Sequence, residues 1–141
     1  MVNKKNVSGR QDLPLPKEGA SRKELKIAGG PLYLPADVCR VLREGTISLW
    51  TYDCADEVTY KLEWELDDVR ALILLAMERG VFKGSEWCDQ NGTGPIAACD
   101  AYTVNRMELV KNAKKDMEMS YFVKFAISKT GALLLVVSCH L

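Results

Sequence analysis

The sequence YFVKFAISKTGALLLVVSCH, residues 121–140, carries the strongest hairpin signal in the chain. Two runs rich in β-branched and aromatic residues flank Lys-Thr-Gly, and such runs joined by a short glycine-containing turn are typical of a β-hairpin. Polar side chains interrupt both runs, with Lys124 in the first and Ser138 and His140 in the second. Depending on the register, Lys124 and His140 come to the same side of adjacent strands.

Two helices are predicted upstream of this hairpin. The segment PADVCRVLREG (35–45) opens with a proline, which suits the first helical turn, and its apolar residues recur at i, i+3 and i+4. The segment DDVRALILLAMERG (67–80) opens with acidic residues, which suit the positive end of the helix dipole, and it closes at a glycine. Because this second helix is apolar nearly all round, we expect it to lie in the core.

The remaining segments complete the fold prediction. TISLWTY (46–52) and ACDAYTVN (98–105) have strand propensity. VTYKLEWEL (58–66) alternates like a half-buried strand, with a short helix as the alternative. RMELVKNAKKDMEMS (106–120) is polar and predicts either a solvated helix or a long hairpin loop. The order predicts an α+β fold in which two or three helices pack on one face of a small antiparallel β-sheet.

The charge is distributed unevenly along a chain of zero net charge. Residues 1–30 hold seven Lys/Arg and three Asp/Glu, whereas residues 31–141 hold twelve and sixteen. The first part is also rich in Gly, Pro, Ser and Asn, which is typical of a flexible segment. We therefore expect a basic, flexible leader over residues 1–34 and one α+β domain over residues 35–141. The leader is either loosely docked or a basic arm that touches a phosphate backbone or masks a site.

Five cysteines occur without a CxxC spacing, which favours reduced thiols and a cytoplasmic protein. Cys88, Cys99, Cys139 and His140 match no zinc-binding spacing, so no metal and no cofactor are predicted. No apolar run approaches the roughly 18 residues that a membrane span requires.

Several polar residues fit one kind of chemistry. Lys83, Tyr102 and Lys124 precede or lie in the predicted sheet, and His140 is the only histidine. Metal-independent RNA cleavage needs a group that moves a proton and groups that stabilise charge on the phosphate. Histidine titrates near neutral pH, lysine supplies positive charge, and tyrosine hydrogen-bonds phosphate or stacks on a base.

Over residues 35–141 the chain resembles the MqsR family of bacterial toxins, which have the RelE-like ribonuclease fold. The resemblance is carried by ADVCRVLREG (36–45), by ELDDVRALILLAMERGVFKGS (65–85), by CDAY (99–102) and by the closing hairpin. It implies a metal-independent endoribonuclease, an mRNA interferase that cleaves single-stranded RNA and is neutralised by a cognate antitoxin protein.

The resemblance also implies roles for individual residues. The catalytic candidates are Lys83, His140 and Tyr121, and the RNA-binding candidates are Lys124, Tyr102 and Arg106. Three positions depart from the family pattern: Gly84 is inserted after the motif lysine, Cys99 stands where a glutamine is frequent, and Phe122 takes the tyrosine position in one register.

Two other functions fit the same fold. One is a non-catalytic protein-binding module or inhibitor, such as a degenerate toxin or a protein of a phage or mobile element, docking through Trp50, Trp64 or Trp87. The other is a toxin of the same superfamily that acts on ribosome-bound RNA or on tRNA. The excess of acidic residues after the leader opposes binding of a polyanion, because phosphate contacts supply much of such affinity.

Overall fold

A computed structural model describes residues 4–110 and 115–141, which form a seven-stranded sheet and three α-helices. Beside the helices, one π-helical segment, Glu57–Lys61, directly follows the helix Tyr52–Asp56. The strands are β1 (Lys5–Asn6), β2 (Lys26–Ile27), β3 (Thr46–Leu49), β4 (Val81–Asp89), β5 (Pro95–Val110), β6 (Lys115–Ile127) and β7 (Leu133–His140). The helices are α1 (Pro35–Glu44), α2 (Tyr52–Asp56) and α3 (Leu66–Arg79).

The strand order is β2-β4-β5-β6-β7-β3, and β1 pairs with the beginning of β5. β1 and β3 run parallel to their partners, and the other pairings are antiparallel. The α+β class is therefore confirmed, including the closing hairpin of β6 and β7. The prediction of a small sheet is wrong, because two short strands from the leader and the parallel strand β3 enlarge it.

Two segments differ from their sequence-based descriptions. The half-buried strand predicted over residues 58–66 is absent, and its alternative, a short helical segment, occupies Glu57–Lys61. Only Val58 of this helical segment is fully buried, while Tyr60 is 76% exposed. The alternating pattern therefore does not correspond to a strand with one buried face. Neither alternative for residues 106–120 is correct, because β5 and β6 continue as paired strands from Asn105↔Ser120 to Val110↔Lys115.

One face of the sheet is covered. The apolar sides of α1 and α3 pack against it, and α3 begins with a capping box in which Asp68 accepts a hydrogen bond from the backbone N–H of Glu65 at 2.9 Å. The capping box fixes the helix start next to the sheet. The largest fully buried side chains of this core are Phe125, Leu42, Leu72, Ile73 and Leu134.

Part of the predicted leader packs on the same covered face beside the helices. Its residues Leu13, Leu25, Ile27 and Leu32 surround Trp87, with Ile96 and Ala98 beneath them. The hydroxyl of Tyr33 donates to the backbone carbonyl of Ala98 at 2.7 Å. In the described chain, residues 5–6 and 26–27 of the predicted leader thus form strands of the sheet, and several of its apolar side chains pack on the covered face.

Asp100 on β5 connects the leader to the sheet and is fully buried. Its carboxylate accepts hydrogen bonds from the backbone N–H of Leu32 at 2.9 and 3.0 Å and from that of Tyr33 at 3.1 Å. It also accepts the hydroxyl of Ser85 at 2.6 Å. Because a buried carboxylate is stable only when its oxygens are satisfied, these bonds fix residues 32–33 against β4 and β5.

The second face of the sheet, which we call the open face, is closed at one end and accessible at the other. The turn between β4 and β5 closes it, because Gln90 donates to the carbonyl of Trp50 at 3.0 Å and Asn91 accepts the N–H of Tyr52 at 2.9 Å. These contacts join the second and the last strand in the order of the sheet, so the sheet is curled around this end. The accessible end holds the candidate site.

Candidate functional site

Strand register places a row of side chains on the open face. Glu86 of β4 lies opposite Lys26 of β2 on one side and Cys99 of β5 on the other. On β6, Lys124 lies opposite Ser138, and Phe122 lies opposite His140. Because directly paired residues share a face and alternate residues return to it, these side chains meet on one surface.

An aromatic stack with adjacent positive charge marks the centre of this surface. The rings of Phe122 and His140 are stacked, with centroids 5.3 Å apart and an interplanar angle of 24°. The Lys124 ammonium lies 6.0 Å from the centroid of Phe122, at the limit of a cation–π contact. A half-exposed aromatic platform beside a lysine can stack a nucleic-acid base and attract the adjoining phosphate.

Lys124 also forms an ion pair with Glu86, whose carboxylate oxygen lies 2.7 Å from its Nζ. Burial by itself lowers the pKa of Lys124, but the neighbouring Cys88 thiol and the hydrogen bond with Glu86 raise it overall. The Cys88 thiol in turn has a lowered pKa, because the neighbouring Cys99 thiol and the Lys124 charge favour its deprotonated form. Lys124 therefore stays charged, with much of its charge balanced by Glu86.

Lys83 reaches the open face through a β-bulge. The register of β4 against β5 shifts between Phe82 and Gly84, so Lys83 is the extra residue. Gly84 has φ +121°, a conformation that L-residues rarely adopt. Phe82 points to the covered face, where its ring lies edge-on to Tyr102, and Lys83 is exposed beside the open face. The glycine inserted into the family-like motif is therefore the residue that makes the bulge.

A cavity of about 160 Å³ lies between this bulge and the aromatic stack. Lys83, Glu86 and Phe122 line it from the sheet, and Arg22 and Lys26 line it from the leader. Three cations and one carboxylate thus surround a small space next to the Phe122 ring. The surplus of positive charge favours an anion such as a phosphate group.

The opposite side of His140 is acidic. A groove of about 480 Å³ runs along the edge of β7 and contains Asp53, Asp56 and Glu57 together with Lys61 and His140. Lys61 is paired with Glu57 at 2.9 Å, so the two aspartates dominate the remaining charge. Positive potential therefore lies on the β2 and β4 side of the aromatic stack, and negative potential lies on the β7 side.

The structure brings together only three of the six residues predicted for the site. Lys83, Lys124 and His140 share the open face, whereas Tyr102, Tyr121 and Arg106 point to the covered face. Tyr102 is buried and stacks on Phe125, with centroids 5.9 Å apart. The alternation of side chains along a strand is the reason, because Tyr121 and Phe122 cannot face the same way.

Tyr121 and Arg106 belong to a cluster of their own. The Tyr121 hydroxyl donates to Glu108 at 2.7 Å, and its ring lies 5.2 Å from that of Trp64. Burial and the hydrogen bond with Glu108 raise the pKa of Tyr121 to about 12. The guanidinium of Arg106 lies over both rings and pairs with Glu108. These contacts engage the Tyr121 hydroxyl and the Arg106 charge within the protein.

Sequence reasoning did not select four of the residues that line the cavity: Arg22, Lys26, Glu86 and Phe122. Phe122 had a signal, because in one register of the strand it occupies the family tyrosine position. β2 is only two residues long, and no periodicity reveals such a strand. Cys99, where the family frequently has a glutamine, is fully buried under the ion pair.

Within residues 4–110 and 115–141, no three His, Cys, Asp or Glu side chains are grouped so that they could hold a metal ion. Over the same ranges, no helix combines the length and the apolar character that crossing a bilayer requires.

Comparisons with known protein families, with curated proteins and with solved structures found no match to this chain.

Proposed function

We propose that the chain binds single-stranded RNA on the open face and cleaves it without a metal ion. The observation that carries the proposal is the stack of Phe122 on His140. Lys124 lies beside this stack, and Phe122 and Lys83 line the same cavity. Aromatic platforms with adjoining cations are the usual means of binding single strands. The only histidine of the chain lies in this platform.

The proposed reaction uses the RNA's own 2′-hydroxyl as the nucleophile. His140 accepts the proton of this hydroxyl as its oxygen forms a bond to phosphorus, and the bond from phosphorus to the 5′ oxygen breaks. The leaving 5′ oxygen takes a proton from solvent. Lys83 stabilises the negative charge that develops on the phosphate oxygens. The products are a 2′,3′-cyclic phosphate and a 5′-hydroxyl.

The proposal extends to the cellular role that the MqsR resemblance implies. An RNA-cleaving chain with the RelE-like fold is toxic to the cell that makes it, unless a cognate antitoxin protein covers the open face. The α+β sheet with helices on one face is compatible with such a fold. Residues 31–141 carry an acidic excess, but acidic groups of the groove beside His140 lie on the other side of the aromatic stack from the basic cavity at Lys83. The acidic excess therefore does not oppose phosphate binding at that cavity.

The test is cleavage of a single-stranded RNA oligonucleotide in the presence of EDTA. An oligonucleotide of the same sequence with 2′-O-methyl groups is the substrate control, because it lacks the nucleophile. We expect fragments that end in a 2′,3′-cyclic phosphate, a loss of about 10²-fold or more with His140→Ala and a similar loss with Lys83→Ala. Lys129→Ala, at an exposed turn far from the stack, is the matched control and keeps the wild-type rate.

Expression in growing cells complements the assay. Intact RNA and normal growth with the wild-type chain would refute the proposed function. Cleavage and toxicity that both survive His140→Ala and Lys83→Ala would leave the activity standing and reject the site.

A second function, a non-catalytic protein-binding module, is favoured by a different feature. Trp50 and Trp87 are buried, so they are not available as anchors for a partner. Beyond Thr103 and Phe122, however, β5 and β6 continue as a two-stranded ribbon with no further strand beside it in the described chain. Its Met107 is 60% exposed. Unpaired strand edges can pair with a partner's strand, so partner binding without RNA binding would select this function.

A further inference from the structure

The charges on the open face give a bound single strand a direction. On the β7 side of His140 the groove contains a Glu57–Lys61 ion pair together with Asp53 and Asp56, whose remaining negative charge repels phosphates. On the other side, the cavity beside Phe122 is bordered by Lys83 and by two cations of the leader. A strand that stacks on Phe122 and His140 therefore continues towards β4 and β2 rather than across β7.

The leader cation Lys26 is held in place by strand pairing. In the strand register Lys26 lies opposite Glu86, and the carbonyl of the preceding Leu25 accepts the N–H of Trp87 at 2.9 Å. Leu25 and Ile27 pack on the covered face around Trp87, so Lys26 between them faces the open side. The alternation of a strand thus aims this side chain at the cavity.

Arg22 is placed by the turn that leads into β2. The N–H of Leu25 bonds to the carbonyl of Ser21 at 3.1 Å, and this turn brings Arg22 to the same cavity as Lys26 and Lys83. Arg22 and Lys26 are exposed, and no ion pair or side-chain hydrogen bond engages either of them in the described residues. Their charge is available to a ligand, in contrast to that of Lys124.

The leader itself is held to the sheet at several points. Asp100 fixes the backbone of Leu32 and Tyr33. Near the N-terminus, the hydroxyl of Ser8 accepts the N–H of Ala98 at 3.1 Å and is fully buried. A segment tied down on both sides of residues 22–26 presents these cations in a fixed position.

We propose that Arg22 and Lys26 bind backbone phosphates of the same RNA strand that stacks on Phe122 and His140. The inference rests on the proposed function and adds the leader to its binding surface. The path from β7 to β2 crosses four strand spacings, or roughly 19 Å. The ligand is therefore a single-stranded oligonucleotide of several nucleotides, with one base at the stack and phosphates further along the strand at the leader.

The salt dependence of binding tests this inference. Affinity for the uncleavable 2′-O-methyl oligonucleotide is measured over a range of salt concentrations with the wild-type chain and with Arg22→Gln/Lys26→Gln. Each phosphate contact on a single strand contributes about 0.7 to the slope of log affinity against log salt. We expect the double substitution to reduce this slope by about 1.4 and to weaken binding roughly tenfold at low salt.

Lys4→Gln/Lys23→Gln is the matched control, because it removes the same charge from exposed leader positions that do not line the cavity. It should keep the wild-type slope. Glutamine avoids placing a second carboxylate opposite Glu86, and a thermal melt verifies that both variants are folded. Binding by the wild-type chain with an unchanged slope in Arg22→Gln/Lys26→Gln overturns the inference alone. An absence of wild-type binding overturns both the inference and the proposed function.

Discussion

Replacing Asp100 should both destabilise the protein and release the leader from the sheet. Asp100 is buried, and its two oxygens take the N–H groups of Leu32 and Tyr33 and the hydroxyl of Ser85. In Asp100→Ala these donors lose their acceptor inside the protein. In Asp100→Asn one oxygen remains for the two N–H groups, and the Ser85 hydroxyl can rotate to accept from the new amide.

The two substitutions therefore differ in their expected effect. A buried donor without a partner costs about 1–3 kcal/mol, and two of the three donors are backbone groups that cannot turn elsewhere. We expect Asp100→Ala to lower the free energy of unfolding by about 4 kcal/mol. Asp100→Asn loses only the charge assistance of bonds that it retains, and we expect about 1–2 kcal/mol.

Urea unfolding measures both values, and limited trypsin digestion reports the release of the leader at Arg22, Lys23 and Lys26. Faster cleavage at these positions should accompany Asp100→Ala. Asp89→Ala, an exposed aspartate of the neighbouring strand, is the control and should stay within about 0.5 kcal/mol of wild type. A loss below about 1 kcal/mol for Asp100→Ala, with unchanged digestion, would refute the assignment of Asp100 as the anchor of the leader.

Three further predictions concern the site. Gly84→Ala should lower the free energy of unfolding in urea by about 2 kcal/mol, because Gly84 has φ +121°. The added Cβ meets no atom within 4 Å, so the cost comes from the backbone conformation alone. A neutral effect would contradict the bulge. Tyr121→Phe should lower the free energy of unfolding by about 1 kcal/mol, because the hydrogen bond to Glu108 is lost, and should leave RNA affinity unchanged. Weakened RNA binding would show that Tyr121 belongs to the site. Cys88 has a lowered pKa, so its alkylation, followed by mass spectrometry, should begin at lower pH than that of an ordinary thiol. Lys124→Met should raise the pH at which Cys88 alkylation begins. An unchanged pH would exclude the lysine as a cause of the lowered pKa.

The local elements that the sequence predicts well are those with a strong pattern. The two main helices have a proline or acidic residues at their start and a glycine at their end, and the β6–β7 hairpin has a short turn between apolar runs. These signals lie within a few residues of the feature they predict. Residues 58–66 show the limit of the pattern, because alternation alone does not reveal whether a neighbouring strand exists.

The candidate site was predictable only in part. Lys83, Lys124 and His140 were identified from residue type and order, since few residues can move protons or bind phosphate. Tyr121 and Arg106 have the same chemistry and lie in the covered cluster with Glu108. Which face a strand residue occupies depends on register, and a difference of one residue reverses it.

The sequence by itself determined the α+β class, the two main helices, the closing hairpin and the residue types available for chemistry. Only the tertiary structure decided that Phe122 rather than Tyr121 lies on the open face, that Gly84 forms a bulge, and that two short strands of the leader join the sheet. The reason is the range of the interactions involved. Helix caps and turns depend on neighbours along the chain, whereas Asp100 holds Leu32 across 68 positions, a separation that no local pattern records.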